Sequence, residues 1–480
     1  MEKRARFTRI LQTGETAAQC LFLLYTMLGF NSLTYGHPVI SWVMRLAFLM
    51  GAGVLLVRLW NWKRYGKMPG IWCLVAMCGI CFVSIVMNRH YGLKKNLIYL
   101  IFWVFYFFLF FAQREDMEQE LVLHRFHVAG HMICGVAFLL GGVSLAMMLL
   151  GYSRVVEIQG NRIIRGFAQG RLFGAYLNPN GGAFVASAVI VLSVYFFRRY
   201  RKVWYRILTA GNIAVQFAYL VFSDSRGGRL CLALGMGAYA FFETLRLNRE
   251  RQRKAPWLAA LLLAALCVAG CWKGPKLVQN GYNALVTRLS YAMVRENMPE
   301  GETDPAQDPA EEERRQQILS AYQVSRGYDL SGDISNRRFD IWKSGLELVR
   351  RKPLYGLTFG GFLEYAQKEM PQTYIVANDY RQIDTMENDF MNLLVSNGAV
   401  SLVVFLGFIL WILIRIFRRI FVQKNQDPAV PAMMAVCAGT AVFAMFNSSM
   451  LYSQCQVIPL FWLALGSLVT LLSGEEKAHE

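Results

Sequence analysis

The sequence has little charge, few acidic residues and little histidine. Of its 480 residues only 17% are Asp, Glu, Lys or Arg, and 32 acidic residues stand against 50 Lys and Arg and 6 histidines. Because 55% of the residues are hydrophobic, the chain is too apolar for one or two ordinary soluble domains. The composition predicts a polytopic membrane protein.

Signals for metal, disulfide and nucleic-acid binding are also missing. The ten cysteines show neither zinc-type spacing nor a disulfide framework, and His127 and His131 are four residues apart with no third ligand apparent. No paired-Asp metal motif stands beside an apolar run. The net charge of +18 lies mainly in short clusters beside apolar runs, as is typical of membrane topology signals. We therefore expect no metal, no cofactor and no nucleic-acid partner.

Apolar runs long enough to cross a bilayer recur along the chain. A spanning helix needs about 20 predominantly apolar residues. By this criterion the sequence predicts about twelve transmembrane helices, near residues 16–33, 39–59, 70–87, 97–112, 128–150, 182–197, 203–222, 230–245, 257–272, 399–416, 431–446 and 457–472.

The Lys and Arg residues predict the orientation of these helices, since positively charged loops stay on the cytoplasmic side. The N-terminal cluster and alternate loops are basic, which places both termini in the cytoplasm. The same parity places residues 152–181, 223–229 and the insert 273–388 on the outer face. Basic residues that support this orientation include Lys3, Arg4, Lys63, Arg64, Lys67, Arg199, Arg201, Lys202, Arg249, Arg418 and Arg419.

The insert of residues 273–388 is mostly polar and separates two blocks of apolar runs. We expect an all-α polytopic membrane protein in three parts: helices 1 to 9 in residues 1–272, one large extracytoplasmic loop with short helices in 273–388, and helices 10 to 12 with a short cytoplasmic tail in 389–480. Within the loop, Phe339, Trp342, Leu346 and Val349 recur at helical spacing and predict one apolar face, which can pack on the top of the bundle or lie at the membrane interface. We expect the chemistry to be built on this outer side.

Arginines in the predicted outer segments are the main anomaly, because the positive-inside rule does not account for them. Arginine is always charged, and its planar fork of donors suits diphosphate oxygens. A lipid-headgroup contact or a salt bridge within a loop is the simpler interpretation for any one of them. The arginines in the predicted outer segments include Arg154, Arg162, Arg165, Arg171, Arg226, Arg229, Arg337 and Arg338.

Turn and cap residues accompany several of these arginines. Arg171 precedes GAYLNPNGGA, in which Asn180 belongs to a turn that leads into an apolar run. Arg226 and Arg229 lie in SDSRGGR, where Ser225 can cap a helix and Asp224 offers a carboxylate. A helix N-terminus at this position would favour an anion.

Together with RFDIWKSGLELVRRKPLYGLTFGGF and ENDFMNLLVSNGAVSLVVFLGF, these motifs make the chain resemble the O-antigen ligase and polymerase superfamily of bacterial envelope glycan enzymes. Members have about a dozen helices and one large external loop late in the chain. The resemblance covers roughly residues 170–407, and the first five apolar runs support it only by topology. One departure is Glu387, which stands before Asn388 where members usually have histidine.

The resemblance implies a multi-pass enzyme of the bacterial plasma (inner) membrane. It would transfer a glycan from a polyprenyl diphosphate carrier to an acceptor hydroxyl on a glycan or glycolipid at the outer leaflet of the bilayer. Arginines would stabilise the diphosphate without a metal. We expect Glu387, Arg226 and Arg338 to be catalytic, and we expect substrate-binding roles for Arg171, Asn180, Asp224, Arg229, Arg337 and Asn388.

Other interpretations stay open. Glu387 can accept a proton as a carboxylate, but it can equally make a structural hydrogen bond where the helix starts. A non-catalytic glycan-export scaffold would share the whole pattern. A polytopic transporter would share the helix count, although such proteins are often built from repeated halves, and we find no similarity between the halves of this sequence.

Overall fold

The computed structural model describes most of the chain and is mainly helical. The described residues are 2–114, 117–252, 255–295, 309–325, 337–379, 382–422, 427–452 and 456–472. The predicted C-terminal tail beyond residue 472 lies outside them.

The helices of the first half follow the apolar runs. They are α1 (Glu2–Gly29), α2 (Pro38–Trp60), the short α3 (Trp62–Tyr65), α4 (Ile71–Met87), α5 (Leu93–Phe105), which continues as a π-helical segment (Tyr106–Phe111), α6 (Gln119–Leu149), α7 (Pro179–Arg199), α8 (Val203–Ser223) and α9 (Arg226–Glu250).

The second half contains one long helix, four short ones and three further apolar helices. They are α10 (Pro256–Arg295), α11 (Pro309–Tyr322), α12 (Arg338–Arg351), α13 (Phe362–Glu369), α14 (Tyr374–Ala377), α15 (Asp389–Val422), α16 (Ala429–Ala444) and α17 (Ile458–Leu471).

The helices support a multi-pass membrane protein. Among the described residues, seven helical segments are long and apolar enough to cross a bilayer: Pro38–Trp60, Leu93–Phe111, Gln119–Leu149, Pro179–Arg199, Arg226–Glu250, Pro256–Arg295 and Asp389–Phe421. Each of the twelve predicted runs falls on a helix of the structure. The total of twelve membrane crossings stays a prediction.

A small antiparallel sheet precedes α7 and was not predicted. Its strands are β1 (Ser153–Ile158), β2 (Asn161–Ala168) and β3 (Arg171–Gly174), in that order. Gln159–Gly160 and Gln169–Gly170 connect them, and all four residues have positive φ. Two consecutive positive φ values give a turn whose twist matches that of a hairpin. The sheet adds a β element to the expected all-α fold and positions Arg171.

The predicted domain boundary at residue 273 falls inside α10. This helix has 40 residues and a length of about 60 Å, roughly twice the hydrocarbon thickness of a bilayer. The apolar run stops near residue 272, but polar residues continue the helix into the insert. Beyond the membrane-length part, the Asn283 side chain accepts from Val324 N at 3.0 Å and donates to Val324 O at 2.8 Å.

The polypeptide bends sharply within α15. Gly398 has φ 76° and ψ 179°, so the helix is broken between Asn397 and Ala399. A Cβ at Gly398 would lie 2.2 Å from the carbonyl oxygen of Leu354, where the insert crosses the helix. The Ala399 N–H donates to Pro353 O at 2.8 Å across this break. Only glycine fits both the backbone conformation and the close approach.

The helix α12 packs on the protein through residues other than Phe339 and Leu346. Phe339 is 68% exposed and Leu346 49% exposed, whereas Ile341, Gly345 and Leu348 are buried. Phe339 and Leu346 therefore do not pack on the described part of the bundle, whereas Trp342 and Val349 are partly buried against the core of the insert. The placement of this apolar face at the membrane interface stays a prediction. The buried face is selected by close packing, since a Cβ at Gly345 would lie 3.3 Å from Val395 of α15.

The second half of the insert has its own hydrophobic core and docks on the ends of α4 and α5. Buried residues of this core come from α12, α13, α14 and the start of α15, and include Ile341, Leu348, Phe362, Ile375 and Met386. Two asparagines bind the insert: Asn88 directly follows α4, and Asn96 lies in α5. Asn88 donates to Gly356 O at 3.0 Å, and Asn96 donates to Thr358 Oγ1 at 2.8 Å. These bonds fix the insert on one end of the bundle.

Candidate active site

The predicted site residues lie at one end of the helical bundle. We call it the site end: α7, α9 and α15 begin there, and α8 and α16 end there. The helix α7 packs against α8, α9 and α16, and α9 also packs against α16. As a result, segments far apart in the sequence present their polar residues on the same side of the bundle.

Arg171, at the start of β3, joins the sheet to the turn between α8 and α9. Its Nε donates to Ser223 O at 2.9 Å, and its Nη2 donates to Asn180 Oδ1 at 2.9 Å. The same Asn180 oxygen accepts from Ser225 Oγ at 3.0 Å. Arg171 and Asn180, nine residues apart in the sequence, thus form one hydrogen-bonded group with the predicted SDSRGG turn. Both side chains are half-buried.

The turn between α8 and α9 is held by a left-handed residue and a helix cap. Asp224 has φ 44°, a conformation that aspartate tolerates better than most residues. Ser225 Oγ accepts from Gly228 N at 3.1 Å and caps α9, as its position predicts. The buried Asp224 carboxylate lies 3.8 Å from Arg229 Nη2, and the Arg229 guanidinium lies 5.5 Å from the ring of Trp272. Asp224 and Arg229 therefore stabilise the turn that carries Arg226.

Arg338 and Glu387 form an ion pair across the insert. Arg338 Nε lies 3.1 Å from Glu387 Oε2, and the side chains are 20% and 13% exposed. Glu387 has φ 48°, a left-handed conformation that favours glycine and is costly for most other residues. This strained position directs the carboxylate toward Arg338 at the point where α15 begins.

The segment after α16 brings these groups together. Arg338 Nη2 donates to Phe446 O at 3.1 Å, and Asn388 Nδ2 donates to Met445 O at 2.9 Å. A Cβ on Gly227, next to Arg226, would lie 3.5 Å from Asn447 Nδ2. The Met445–Asn447 segment therefore contacts Arg338, Asn388 and the residue after Arg226.

Two of the predicted site residues, Arg337 and Arg226, have different surroundings from the residues around the Met445–Asn447 segment. Arg337 is the residue before α12, has φ 63°, and its Nη1 lies 3.4 Å from the hydroxyl of Tyr374 in the insert. It contacts the core of the insert. Arg226 is half-buried at the first position of α9.

Several polar residues that hold this group were missed in the sequence. Asp389 is buried and its Oδ2 accepts from Ser449 N at 2.7 Å, which joins the start of α15 to the residues that follow the Met445–Asn447 segment. Asn392 Nδ2 donates to Ser448 Oγ at 2.6 Å, and Ser448 Oγ lies 2.6 Å from Thr385 Oγ1. The sequence shows Asp389 two residues after Glu387, but it cannot predict which backbone N–H groups bind the Asp389 carboxylate.

The arrangement can bind an anion and accept a proton. Half-buried guanidinium groups in a partly water-excluded site attract phosphate oxygens more strongly than exposed ones do. A carboxylate beside them can accept a proton from a hydroxyl group that binds next to the anion. The Asn178 side chain caps α7 by accepting from Gly181 N at 2.6 Å, and this cap fixes the helix start that carries Asn180.

Comparison with protein families identifies the central part of the chain. Residues 211–406 match the family model described as O-antigen ligase. The match contains Asp224, Arg226, Arg338, Glu387 and Asn388, and it begins after Arg171 and Asn180. No curated protein matches the chain. The predicted resemblance is thus confirmed over these residues, and the apolar helices support a multi-pass membrane protein.

Proposed function

We propose, from the match of residues 211–406 to the O-antigen ligase family, that the chain transfers a glycan from a polyprenyl diphosphate carrier to an acceptor hydroxyl. The observation that carries the proposal is the grouping of Arg338, Glu387 and Asn388 with the α8–α9 turn around Met445–Asn447. The large insert faces the outside of the membrane, and the acceptor is a growing polysaccharide or a surface glycolipid.

Arginines stabilise the leaving group in this reaction. As the bond between the sugar C1 and the diphosphate breaks, negative charge develops on the diphosphate oxygens. Arg226 and Arg338 contact these oxygens, and Arg171 of β3 lies behind them and binds the α8–α9 turn. Fixed positive groups aimed at developing charge are among the strongest contributors to catalysis. The polyprenyl diphosphate then leaves along the bilayer.

Glu387 accepts the proton of the acceptor hydroxyl. The acceptor oxygen forms a new bond to C1 from the face opposite the diphosphate, and its proton passes to the Glu387 carboxylate. In the structure this carboxylate pairs with Arg338, so the donor diphosphate competes with Glu387 for the same guanidinium. Donor binding thereby frees the carboxylate for the acceptor. Direct attack inverts the anomeric carbon, and anomer analysis of the product tests this.

The direct test uses purified protein with a labelled polyprenyl diphosphate glycan and candidate acceptors. We expect the wild type to consume the carrier and Arg226→Ala to lose about 100-fold or more in rate. Arg154→Ala is the matched control, because Arg154 is exposed on β1. Its rate should stay close to that of the wild type.

Two outcomes would contradict the proposal. Carrier binding without any turnover by the wild type favours a glycan-export scaffold. Equal rates for Arg226→Ala and Arg154→Ala would remove Arg226 from the chemistry. Analysis of lipid-linked glycans in a deletion strain then separates polymerisation from ligation.

A further inference from the structure

A cavity of about 410 Å³ lies far from the candidate active site, between α2, α3, α4 and the end of α5. Its volume falls within the range of about 300–1,000 Å³ that ligand sites occupy. The chain enters α2 from the site end, where Ser32 N donates to Ala175 O at 2.7 Å. The cavity lies around Arg58 in the last turn of α2, and therefore at the opposite end of the bundle.

The cavity wall is apolar and aromatic apart from one arginine. Its lining includes Leu55, Trp62, Trp72, Val75, Val104 and Phe108. The rings of Trp62 and Trp72 meet edge to face at 5.6 Å. The walls continue into the outer surface of the bundle, since Leu59 is 67% and Trp72 61% exposed. The opening therefore faces the hydrocarbon and interfacial region of the bilayer.

Arg58 is the charged residue of this wall. It is 3% exposed and its Nη1 donates to Ala112 O at 2.9 Å and to Leu109 O at 3.2 Å. Its Nη2 is buried and has no hydrogen-bond partner among the described residues. This donor is covered by protein atoms, so Arg58 contributes its positive charge to the cavity wall and not a direct hydrogen bond to a ligand.

Three exposed basic residues are close in sequence to Trp62 and Tyr65 of the cavity wall. Lys63 and Arg64 belong to α3, and Lys67 follows it, all at the end of the bundle that the sequence predicts to be cytoplasmic. Basic pockets between transmembrane helices on this side suit the headgroups of anionic lipids. Tryptophan at the interface likewise marks headgroup level.

We propose that this cavity is a binding site for an anionic phospholipid of the cytoplasmic leaflet. One acyl chain occupies the cavity, and the phosphate group lies among Lys63, Arg64 and Lys67 above Arg58. The lipid braces α2, α3 and α4. A free phosphate ion would leave the apolar walls unfilled, so the acyl chain is essential to the site. The site is independent of glycan transfer.

The test compares thermal unfolding in nanodiscs of phosphatidylcholine with nanodiscs that also contain phosphatidylglycerol. Binding to the folded state raises Tm. We expect phosphatidylglycerol to raise the Tm of the wild type by roughly 2–4 °C or more. The variant K63E/R64E/K67E should lose this increase. The control R199E/R201E/K202E carries the same charge change on exposed residues between α7 and α8, and it should keep the increase.

Two further arms test the acyl chain. Val75→Trp fills the cavity and should remove the increase while leaving the Tm in phosphatidylcholine close to that of the wild type. Soluble glycerol phosphate should leave the Tm of the wild type unchanged. The proposal is overturned if phosphatidylglycerol leaves the wild-type Tm unchanged, or if both charge variants lose the increase equally. Full stabilisation of Val75→Trp by phosphatidylglycerol, or stabilisation by glycerol phosphate alone, would equally overturn it.

Discussion

Two arginine clusters lie at opposite ends of the bundle and differ in how their carboxylate is held. At the opposite end, Glu15 binds Arg58 Nε at 3.2 Å, Arg125 Nη2, and the hydroxyl of Tyr65 at 2.8 Å. Arg58 and Arg125 are 3% and 1% exposed. At the site end, Arg338 and Glu387 are 20% and 13% exposed and share one ion pair.

The difference separates a structural role from a binding role. A carboxylate enclosed by two buried arginines and a hydroxyl cannot exchange these partners without leaving charges uncompensated. A partly exposed pair can exchange one partner for a ligand anion at lower cost. Arginine at membrane depth is therefore a weak functional signal by itself, and the accessibility of its partner is the more useful criterion.

The largest expected effect breaks the closed cluster. Glu15→Gln leaves two buried guanidinium groups without their counter-charge and should destabilise the fold by about 3–5 kcal/mol. Thermal unfolding in detergent measures this as a lower Tm. Glu364→Gln is the matched control, since Glu364 pairs with Lys368 at 2.9 Å on the surface, where ion pairs contribute little. Equal Tm losses in the two variants would contradict a structural role for Glu15.

The next effect separates activity from stability at the site end. Arg338→Ala should lower the transfer rate about 100-fold, because a fixed positive group facing the diphosphate is lost. Its Tm should change far less than that of Glu15→Gln. Arg338→Lys restores a charge without the planar fork and should recover part of the rate. A Tm loss as large as that of Glu15→Gln would make Arg338 a structural residue.

A third change examines the carboxylate at the position of the family histidine. Glu387→Gln retains the size of the side chain but cannot accept a proton, so the rate should fall by about 100-fold or more. Glu387→His should retain measurable transfer, since imidazole can also accept a proton. Single-turnover kinetics with bound donor provide the measurement. Full activity of Glu387→Gln would leave Glu387 only a structural contact to Arg338.

The smallest effect concerns the exposed residues on the predicted apolar face of α12. Phe339→Ala should change stability in detergent by no more than about 0.5 kcal/mol, because its side chain is mostly exposed. Ile341→Ala is the matched variant and should lower Tm clearly, since Ile341 is 1% exposed. A larger loss of stability for Phe339→Ala than for Ile341→Ala would contradict the exposed position of Phe339.

The sequence predicts local features of this fold better than contacts between distant segments. Hydropathy locates the helices, and Ser225 is correctly predicted as a helix cap. The sheet was missed because its two Gln-Gly turns are a weaker signal than Asn-Gly or Asp-Gly. The length of α10 was missed because hydropathy follows apolarity rather than helix continuity.

The grouping of the candidate site was predicted only in outline. Arg171, Arg226, Arg338 and Glu387 could be chosen from their motifs, but the Met445–Asn447 segment could not. Its contacts to Arg338 and Asn388 use the backbone carbonyls of Phe446 and Met445, which every residue type offers. Backbone partners of this kind become visible only in three dimensions.

Direct binding of a glycan-free polyprenyl diphosphate tests the central claim most directly. Titration of the wild type, Arg226→Ala, Arg338→Ala and the control Arg154→Ala should show weaker binding for the first two variants by at least about tenfold, the equivalent of 1.4 kcal/mol. Polyprenyl monophosphate should discriminate less between them. Equal affinity of all four proteins for the diphosphate would contradict the claim that these arginines bind the carrier.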